Sequence, residues 1–272
     1  MCEADAAPMS QPLMQYPAFA AALQLMGLPP VILPGGLMVL RRSVAGVPIA
    51  MLPRAVPPPD LSRQLAAAGL GRLPLILSPE VPCKMPRALR LAGSRMMAVL
   101  PLDRSAADRR TRMHPKWRNR WRRAQDAGLE VTDAPLPPDL SHPLLRAEQG
   151  QRAERGYDGW PLALTCAFAA AAPDRTRVFS ARHKGQPIAR MLFLRHGNGA
   201  TYHIGQTTDA GRRHHAHNLL LDAACDWLAA QGCQTLDLGP LDPRTPGLNR
   251  FKLRSGAQAR PTGGTWLRWR PF

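Results

Sequence analysis

The residues best suited to chemistry lie close together, between positions 201 and 252 of the 272-residue chain. A turn rich in Gly, Arg and His (residues 211–218) leads into an amphipathic helix, and a helix N-terminus offers backbone N–H groups and positive charge to an anion. Asp237 ends the following strand, and Lys252 lies downstream. An anion site beside a carboxylate and a lysine predicts transfer chemistry on a phosphate-bearing donor.

A second group of charged residues lies on a basic helix predicted over residues 115–128. Trp117 and Trp121 are four residues apart and share one face, which predicts the buried side of this helix. Arg118 and Arg122 are also four apart, so like charges share an adjacent face at some cost in stability. That cost favours an anionic partner and makes both arginines candidate substrate-binding residues. A solvated face in an Arg-rich chain is the alternative.

The elements that position these residues follow from hydrophobic spacing. Apolar residues at i, i+3/i+4 intervals predict a helix over residues 217–230. Strands are predicted over residues 200–205 and 234–238, on either side of that helix, and a short helix over residues 17–25. Asn249 and Arg250 are predicted to lie in a Pro-rich loop, which Lys252 follows. Both halves of the chain share a loose order of helix, strands, helix and strand.

Composition sets the limits on function. Lys and Arg outnumber Asp and Glu by 36 to 19, a net charge of +17, which favours RNA, phosphorylated ligands or an anionic lipid surface. Genomic base composition is an equally good explanation of the arginine content. The N-terminus lacks a signal-peptide pattern, and no apolar stretch reaches the roughly 20 residues of a membrane span. A soluble cytoplasmic protein without an integral membrane segment is expected.

Metal and disulfide chemistry are not predicted. The five cysteines are odd in number and show no CxxC spacing, which argues against a disulfide framework or a zinc site. His214, His215 and His217, with His203 as a fourth, invite a metal interpretation. No carboxylate or thiolate is spaced to complete such a site, so we predict no metal.

Five stretches, in this order, resemble the GNAT acyltransferase superfamily. The more specific resemblance is to its Fem-like branch, which has two GNAT-type lobes and includes peptidoglycan-bridge aminoacyltransferases. The stretches are the basic helix (residues 114–131), the central hairpin (185–207), the donor turn and helix (210–232), the next strand (235–242) and a Phe-Lys motif (247–257).

The resemblance implies an α+β or α/β fold with a GNAT-like mixed central sheet flanked by helices, in two tandem lobes. The Pro-rich segment 133–143 is the best linker candidate. We therefore expect an N-terminal lobe over residues 1–135 and a C-terminal acyltransferase lobe over residues 136–272.

The same resemblance implies where the donor binds. In a GNAT-type fold the two strands flanking the donor helix splay apart, and the gap between them holds the thioester or ester arm of the donor. Free backbone groups on the first strand would bind that arm, and the turn would bind the phosphates. The candidate donor-binding residues are Ile204, Gly205, Gln206, Gly211, Arg212, Arg213 and Asn218.

Attack by an amine needs a base, a donor for the oxyanion and a cation for phosphate. Asp237 is a candidate base, with a turn-capping carboxylate as the alternative. His203 is a candidate catalytic residue, with a histidine packed on the sheet as the alternative. Tyr202, its neighbour on the strand, faces the opposite side and is a candidate substrate contact. Lys252 matches the Phe-Lys motif and is the preferred catalytic cation.

Asn249 and Arg250 are candidate substrate-binding residues in the segment that carries Lys252. Plain solvation is the alternative for both of them. The segment follows a Pro-rich stretch, so we expect these side chains to be presented from a loop.

The donor is the open question. The superfamily turn has small residues where backbone amides touch the pyrophosphate of coenzyme A, whereas this chain has His215 and His217. The sequence predicts an N-acyltransferase that uses acyl-CoA on a small-molecule or nucleotide-linked amine. An aminoacyl-tRNA-dependent aminoacyltransferase is one alternative, with tRNA as partner. A non-catalytic polyanion-binding protein is the other.

Overall fold

The chain consists of two compact units. The computed structural model describes residues 10–102 and 105–269. The first unit comprises Met1–Met96 with Arg260–Phe272, and the second comprises Met97–Ala259. The boundary predicted near residue 135 falls inside the second unit. The compact units are defined by contacts within the chain, whereas the predicted lobes are defined by their GNAT-type order of elements. The predicted lobe boundary near residue 135 therefore stays a prediction.

The first unit contains one six-stranded sheet. Its elements are α1 (Pro17–Leu25), β1 (Val31–Ile32), β2 (Met38–Val44), β3 (Val47–Pro53), α2 (Leu61–Ala67), β4 (Leu75–Ser78), β5 (Leu89–Ala92) and β13 (Thr265–Arg268). The strand order is β1-β2-β3-β4-β13-β5. Only β3 and β4 are parallel among the described pairs of this sheet. A core of Leu, Val and Ala side chains, including Val39, Leu52 and Leu77, packs on this sheet.

A buried glutamine joins the first unit's N-terminal segment to its sheet. The Gln15 side chain is 6% exposed. Its amide nitrogen donates to the carbonyl oxygens of Met38 (3.0 Å) and Pro53 (2.7 Å), and its oxygen accepts from the Met38 N–H (2.8 Å). A buried amide must satisfy its hydrogen-bonding groups, so these bonds fix the segment before α1 against β2 and β3.

The second unit, with the strand that leads into it, contains a seven-stranded sheet. Its elements are β6 (Met96–Pro101), α3 (Ala106–Arg112), α4 (Pro115–Asp126), β7 (Glu130–Ala134), α5 (Pro143–Arg155), α6 (Leu162–Ala171), β8 (Thr176–His183), β9 (Gln186–His196), β10 (Gly199–Thr207), α7 (Asp209–Arg213), α8 (Ala216–Ala230), β11 (Thr235–Pro240), α9 (Pro246–Arg254) and β12 (Gln258–Pro261). The strand order is β12-β6-β11-β10-β9-β8-β7.

The main core of the second unit lies between this sheet and α8. Alternate residues of β9, such as Met191 and Phe193, are buried together with Leu220, Leu221 and Leu228 of α8. This is the pattern expected when the period-2 face of a strand meets the period-3.6 stripe of a helix. Because both partners are fully apolar along this contact, α8 is held firmly against the sheet beside β10.

The two sheets repeat one arrangement. In the first, the antiparallel pair β2–β3 is followed by α2 and by β4, which is parallel to β3. In the second, the antiparallel pair β9–β10 is followed by α7, α8 and β11, which is parallel to β10. The predicted order shared by the two halves is therefore present. The predicted helix over residues 17–25 is confirmed.

Candidate active site

The site is organised by the point where β10 and β11 part. The two strands are parallel and pair only through Gly199 with Thr235, Ala200 with Leu236, and Thr201 with Asp237. Beyond that point the β9–β10 register shifts between Tyr202 and Ile204, and the β6–β11 register shifts between Asp237 and Pro240. Both strands become irregular where their pairing ends, so the gap that the resemblance implied is present here.

Lys252 lies against the end of β11 that has left the pairing. Its ammonium donates to the carbonyl oxygen of Pro240 over 2.8 Å and lies near Gly239. Burial lowers the pKa of Lys252 to about 8, while the charges of Asp237 and Asp242 act in the opposite direction. A lysine that is 4% exposed and still cationic near neutral pH is suited to hold a developing negative charge.

Asp237 is also part of this cluster. Its Oδ1 accepts a hydrogen bond from the Gly239 N–H over 2.7 Å, and Gly239 has a positive φ of 84°. The carboxylate therefore stabilises the turn that ends β11, as the turn-capping alternative proposed. Its charge also acts on Lys252, so the fold brings the predicted base and the predicted cation together.

The family of this chain follows from its similarity to known proteins. The family of the acetyltransferase (GNAT) domain matches residues 89–253, which is more than half of the chain. The chain belongs to the GNAT family. A comparison with curated protein sequences gave no match.

Solved structures show the same architecture as this GNAT protein. FemX has a TM-score of 0.73 at 12% identity, over 96% of this chain and 93% of FemX. L-PGS from Bacillus licheniformis has a TM-score of 0.59 at 13% identity, over 96% of this chain and 88% of that one. At these identities the likeness concerns the fold. The predicted GNAT family and the mixed-sheet, two-lobed fold class are confirmed, and the likeness to FemX supports the Fem-like branch at the level of the fold. Family membership supports acyl or aminoacyl transfer as the reaction class.

Two carbonyl oxygens of β10 near the gap are bonded by the protein's own side chains. Gln151 of α5 donates to the carbonyl oxygen of Gly205 over 3.4 Å, and Nε2 of His217 lies 3.0 Å from the carbonyl oxygen of Gln206. Ile204 is buried and opposite Leu192. The predicted contacts of Gly205 and Gln206 with a donor therefore compete with Gln151 and His217, which sequence reasoning did not assign to the gap.

The turn between β10 and α8 differs most from a pyrophosphate loop. Thr208 accepts a hydrogen bond from the Gly211 N–H over 3.1 Å and so caps α7, a helix that the sequence did not predict. The N–H groups of Arg212, His214 and His215 all donate to carbonyl oxygens within the turn. These amides stabilise the turn itself, whereas the N–H groups of Ala216 and His217 at the start of α8 have no side-chain cap.

Gly211 has a packing role. A Cβ atom added at Gly211 would collide with the backbone oxygen of Ile188 and with the hydroxyl of Thr207. The residue is therefore a point of close approach between α7 and β9. Its predicted contact with a donor has no geometric support in this arrangement.

The other predicted donor contacts are distributed around the same turn. Arg212 is exposed, forms an ion pair with Asp209 and donates to the Thr207 carbonyl oxygen over 3.3 Å. Arg213 is also exposed. Asn218 is buried in the first turn of α8. The residue that precedes this helix, His215, has a φ of 53°, in the left-handed region.

His203 lies on the side of the sheet that α6 covers. Its Nε2 is 2.9 Å from the hydroxyl of Thr165, and its ring meets that of Trp160 edge-on at 4.9 Å. Burial, assisted by the charge of Arg152, lowers the pKa of His203 to about 4. The imidazole is neutral at pH 7, as expected for a histidine packed on the sheet, and its catalytic role stays a prediction.

Tyr202 packs toward the main core. It is directly opposite Phe193, with ring centroids 5.7 Å apart, and burial raises the pKa of its hydroxyl. The hydroxyl occupies the space where Gly205 would carry a Cβ. Tyr202 and His203 therefore lie on opposite sides of β10, as predicted, although the β9–β10 register shifts between Tyr202 and Ile204.

The predicted loop before Lys252 is wrong in its structure, because residues 246–254 form α9. Asn249 bridges the segment between β11 and α9. Its Oδ1 accepts from the Asp242 N–H over 3.1 Å, and its Nδ2 donates to the Asp242 carbonyl oxygen over 2.8 Å. Pro246 begins α9 at the first helical position. Because Asn249 bonds the backbone of Asp242 through both side-chain atoms, it positions this helix and is not presented from a loop.

The basic helix is α4, and its predicted buried stripe is present. Trp117 is 3% exposed, and its ring centroid lies 6.0 Å from that of Phe251. Trp121 packs against the same core. Arg118 is half-buried and Arg122 exposed, and neither forms an ion pair within residues 10–102 and 105–269.

The arginines of α3 behave differently from those of α4. Arg109 pairs with Asp226. Arg110 donates to Asp222 and Asp226 over 2.8 Å each and stacks over Trp121 at 4.9 Å. Both partners lie on α8, so these charges fasten α3 to α8. Arg109 and Arg110 are therefore neutralised by carboxylates, whereas the basic residues of α4 keep uncompensated charge within the described chain.

Two further properties concern the described residues alone. None of their helices is long and apolar enough to cross a bilayer. Their His, Cys, Asp and Glu side chains form no group of three or more that could hold a metal ion.

Proposed function

We propose that this GNAT-family protein is an aminoacyltransferase that moves an aminoacyl group from an aminoacyl-tRNA to an amine. The observation that carries the proposal is the turn between β10 and α8. The amides of Gly211, Arg212, His214 and His215 are bonded within the turn, and Gly211 is packed against β9. Coenzyme A needs free amides at this position for its pyrophosphate, whereas an ester donor held by its RNA does not.

Two further observations support this donor. The basic residues of α4 form no ion pairs within the described chain, and Lys and Arg bound to phosphates dominate the affinity of proteins for nucleic acids. The fold is similar to that of FemX, and the Fem-like resemblance of the sequence implies an aminoacyl-tRNA donor. Acyl-CoA is the second candidate, because the gap between β10 and β11 is the place where a thioester arm would lie.

In this proposal Lys252 and Asp237 carry the chemistry. Asp237 accepts the proton of the attacking ammonium, and Lys252, cationic below a pKa of about 8, stabilises the oxyanion of the tetrahedral intermediate. The amine attacks the ester carbonyl, the C–N bond forms, and the C–O bond to the ribose breaks. The ribose oxygen leaves with the proton that the attacking nitrogen loses as the amide forms.

A thermal-shift panel tests the donor. We expect alanyl-tRNA to raise Tm by about 5 °C or more at saturating concentration, and to raise it more than deacylated tRNA does. Acetyl-CoA and free coenzyme A should leave Tm unchanged, because the amides of Gly211, Arg212, His214 and His215 are already bonded within the turn. A shift with acetyl-CoA and none with alanyl-tRNA would contradict the proposal and favour the thioester. Equal shifts with charged and deacylated tRNA would indicate a polyanion-binding protein.

Asp237→Asn separates the catalytic role of this residue from its structural one. Asparagine keeps the oxygen that accepts from Gly239, so the end of β11 should be preserved, and Tm should fall only by the part that the Asp237 charge contributes beside Lys252. Removing a general base should lower the rate of aminoacyl transfer about 10²–10⁴-fold. The check is single-turnover transfer with alanyl-tRNA and a simple amine. Full activity in this variant would leave Asp237 with the turn-capping role alone.

A further inference from the structure

A small pocket lies between α4 and α9 in the second unit. Its volume is about 140 Å³, and it is lined by Trp117, Arg120, Gly247, Arg250, Phe251 and Arg254. The four α9 residues are spaced i, i+3, i+4 and i+7, so they form one face of that helix. We call this the α4–α9 pocket. It is distinct from the contact of Lys252 with Pro240.

The side-chain polar groups that line the α4–α9 pocket are hydrogen-bond donors only. A guanidinium group offers N–H donors and no acceptor, and an indole offers one N–H. Trp117 is 3% exposed. Because the guanidinium groups of Arg120, Arg250 and Arg254 supply donors alone, this pocket favours a ligand made of acceptors.

The three arginines of the pocket lack carboxylate partners. Arg120, Arg250 and Arg254 form no ion pair with any residue that the structure describes. Two of the three α3 arginines, Arg109 and Arg110, are paired with Asp226 and Asp222. The chain thus neutralises one set of arginines with its own carboxylates and leaves this set with uncompensated charge around a cavity.

The size and charge of the pocket select the ligand. A phosphate monoester carries a charge of about −1.5 to −2 at pH 7 and three strong acceptor oxygens, which suits three guanidinium groups better than a single carboxylate would. The volume is below the roughly 300 Å³ at which pockets for whole small molecules begin. The rings of Trp117 and Phe251 add an apolar wall for the carbon atom that carries the phosphate.

We infer that the α4–α9 pocket binds the phosphate monoester group of a ligand. The inference goes beyond aminoacyl transfer and does not depend on it, since binding can be measured without any donor or reaction. A nucleotide and a lipid-type glycerophosphate share this group, so both are tested as sources.

Calorimetric titration with phenyl phosphate is the test. The wild type should bind it with a Kd below about 1 mM. Gly247→Leu should abolish the binding, because a side chain at Gly247 meets no atom within 4 Å and would extend into the pocket. Arg250→Gln should weaken binding about tenfold or more, as expected for loss of a charge-assisted hydrogen bond. Both variants should retain the wild-type Tm.

Arg123→Gln is the matched control. Arg123 is an exposed arginine of helix α4 that does not line the pocket. Its replacement by glutamine therefore removes the same charge from the same region. It should change the Kd less than about twofold, as expected for a screened surface charge. Equal weakening by Arg123→Gln and Arg250→Gln would overturn the inference, because it would show attraction by net charge alone.

Two natural phosphate monoesters distinguish the source. Adenosine 5′-monophosphate and sn-glycerol 3-phosphate are titrated into the wild type and into Gly247→Leu. The ligand that binds more tightly, and loses its binding in Gly247→Leu, identifies the source. Unchanged binding of phenyl phosphate and of both natural esters by Gly247→Leu would refute the site.

Discussion

Lys252→Met is expected to abolish aminoacyl transfer and, at the same time, to make the protein more stable. The rate should fall about 10²–10³-fold, as when an enzyme loses one group that stabilises an oxyanion. The free energy of unfolding at pH 7 should rise by about 2 kcal/mol. A substitution that removes activity while raising stability identifies a residue kept for function.

The gain in stability follows from the burial of Lys252. Its pKa is lowered from 10.5 to about 8, which corresponds to a cost of about 3 kcal/mol for the charged form at pH 7. Methionine keeps the apolar stem and removes the charge. The lost hydrogen bond to the Pro240 carbonyl oxygen costs about 1 kcal/mol, and the difference is the expected gain of about 2 kcal/mol.

The same pKa predicts how the difference depends on pH. Between pH 8 and 10.5 the unfolded state holds a proton on Lys252 that the folded state has lost. Stability conferred by this residue therefore rises with pH across that window. The advantage of Lys252→Met in urea denaturation should be largest at pH 7 and should shrink toward pH 10.

Lys184→Met is the control for this experiment. Lys184 is exposed in the turn between β8 and β9, so its replacement should change stability by less than about 0.5 kcal/mol at either pH. Lys252→Met would contradict the prediction if it unfolded at a lower urea concentration than the wild type at pH 7. Full activity in Lys252→Met would remove the lysine from the proposed chemistry.

Gly211→Ala is expected to destabilise the protein by about 2–4 kcal/mol. The added methyl group would collide with the Ile188 backbone oxygen and the Thr207 hydroxyl, and a strand backbone in a packed sheet cannot move away at low cost. Urea denaturation followed by circular dichroism measures the loss. A residue that served only to contact a donor would change donor binding and leave the unfolding midpoint unaltered.

Gly150→Ala supplies the comparison. Gly150 lies in α5, and an added Cβ there meets no atom within 4 Å. Because alanine is the better helix former, this variant should gain about 0.5–1 kcal/mol. Opposite signs at the two glycines would confirm that packing, rather than backbone entropy, sets the effect at Gly211. A neutral Gly211→Ala would instead show that α7 is free to shift.

The sequence predicted well what depends on strong local patterns. The apolar stripe of α8 and the strands on either side of it could be read from periodicity, and their order led to the GNAT resemblance. The association of Asp237 with Lys252 followed from that order. These features share one property: each is specified by residues close in sequence or by a motif.

The features that were missed depend on distant contacts or weak local signals. The helices α7 and α9 have five and nine residues, which is short for a helix whose stability comes mainly from packing. The bonds of Gln151 and His217 to the carbonyl oxygens of β10 join separate elements. Basic residues on α3 and α4 looked alike in sequence, and only the positions of Asp222 and Asp226 on α8 separate them.

The place of β13 in the first sheet has a consequence for the order of synthesis. β13 pairs with β4 on one side and with β5 on the other, so these two N-terminal strands have no neighbour between them until residues 265–268 have left the ribosome. All strands of the second sheet are translated before that point. Although domains generally fold in the order in which they are made, here the unit that starts first is completed last.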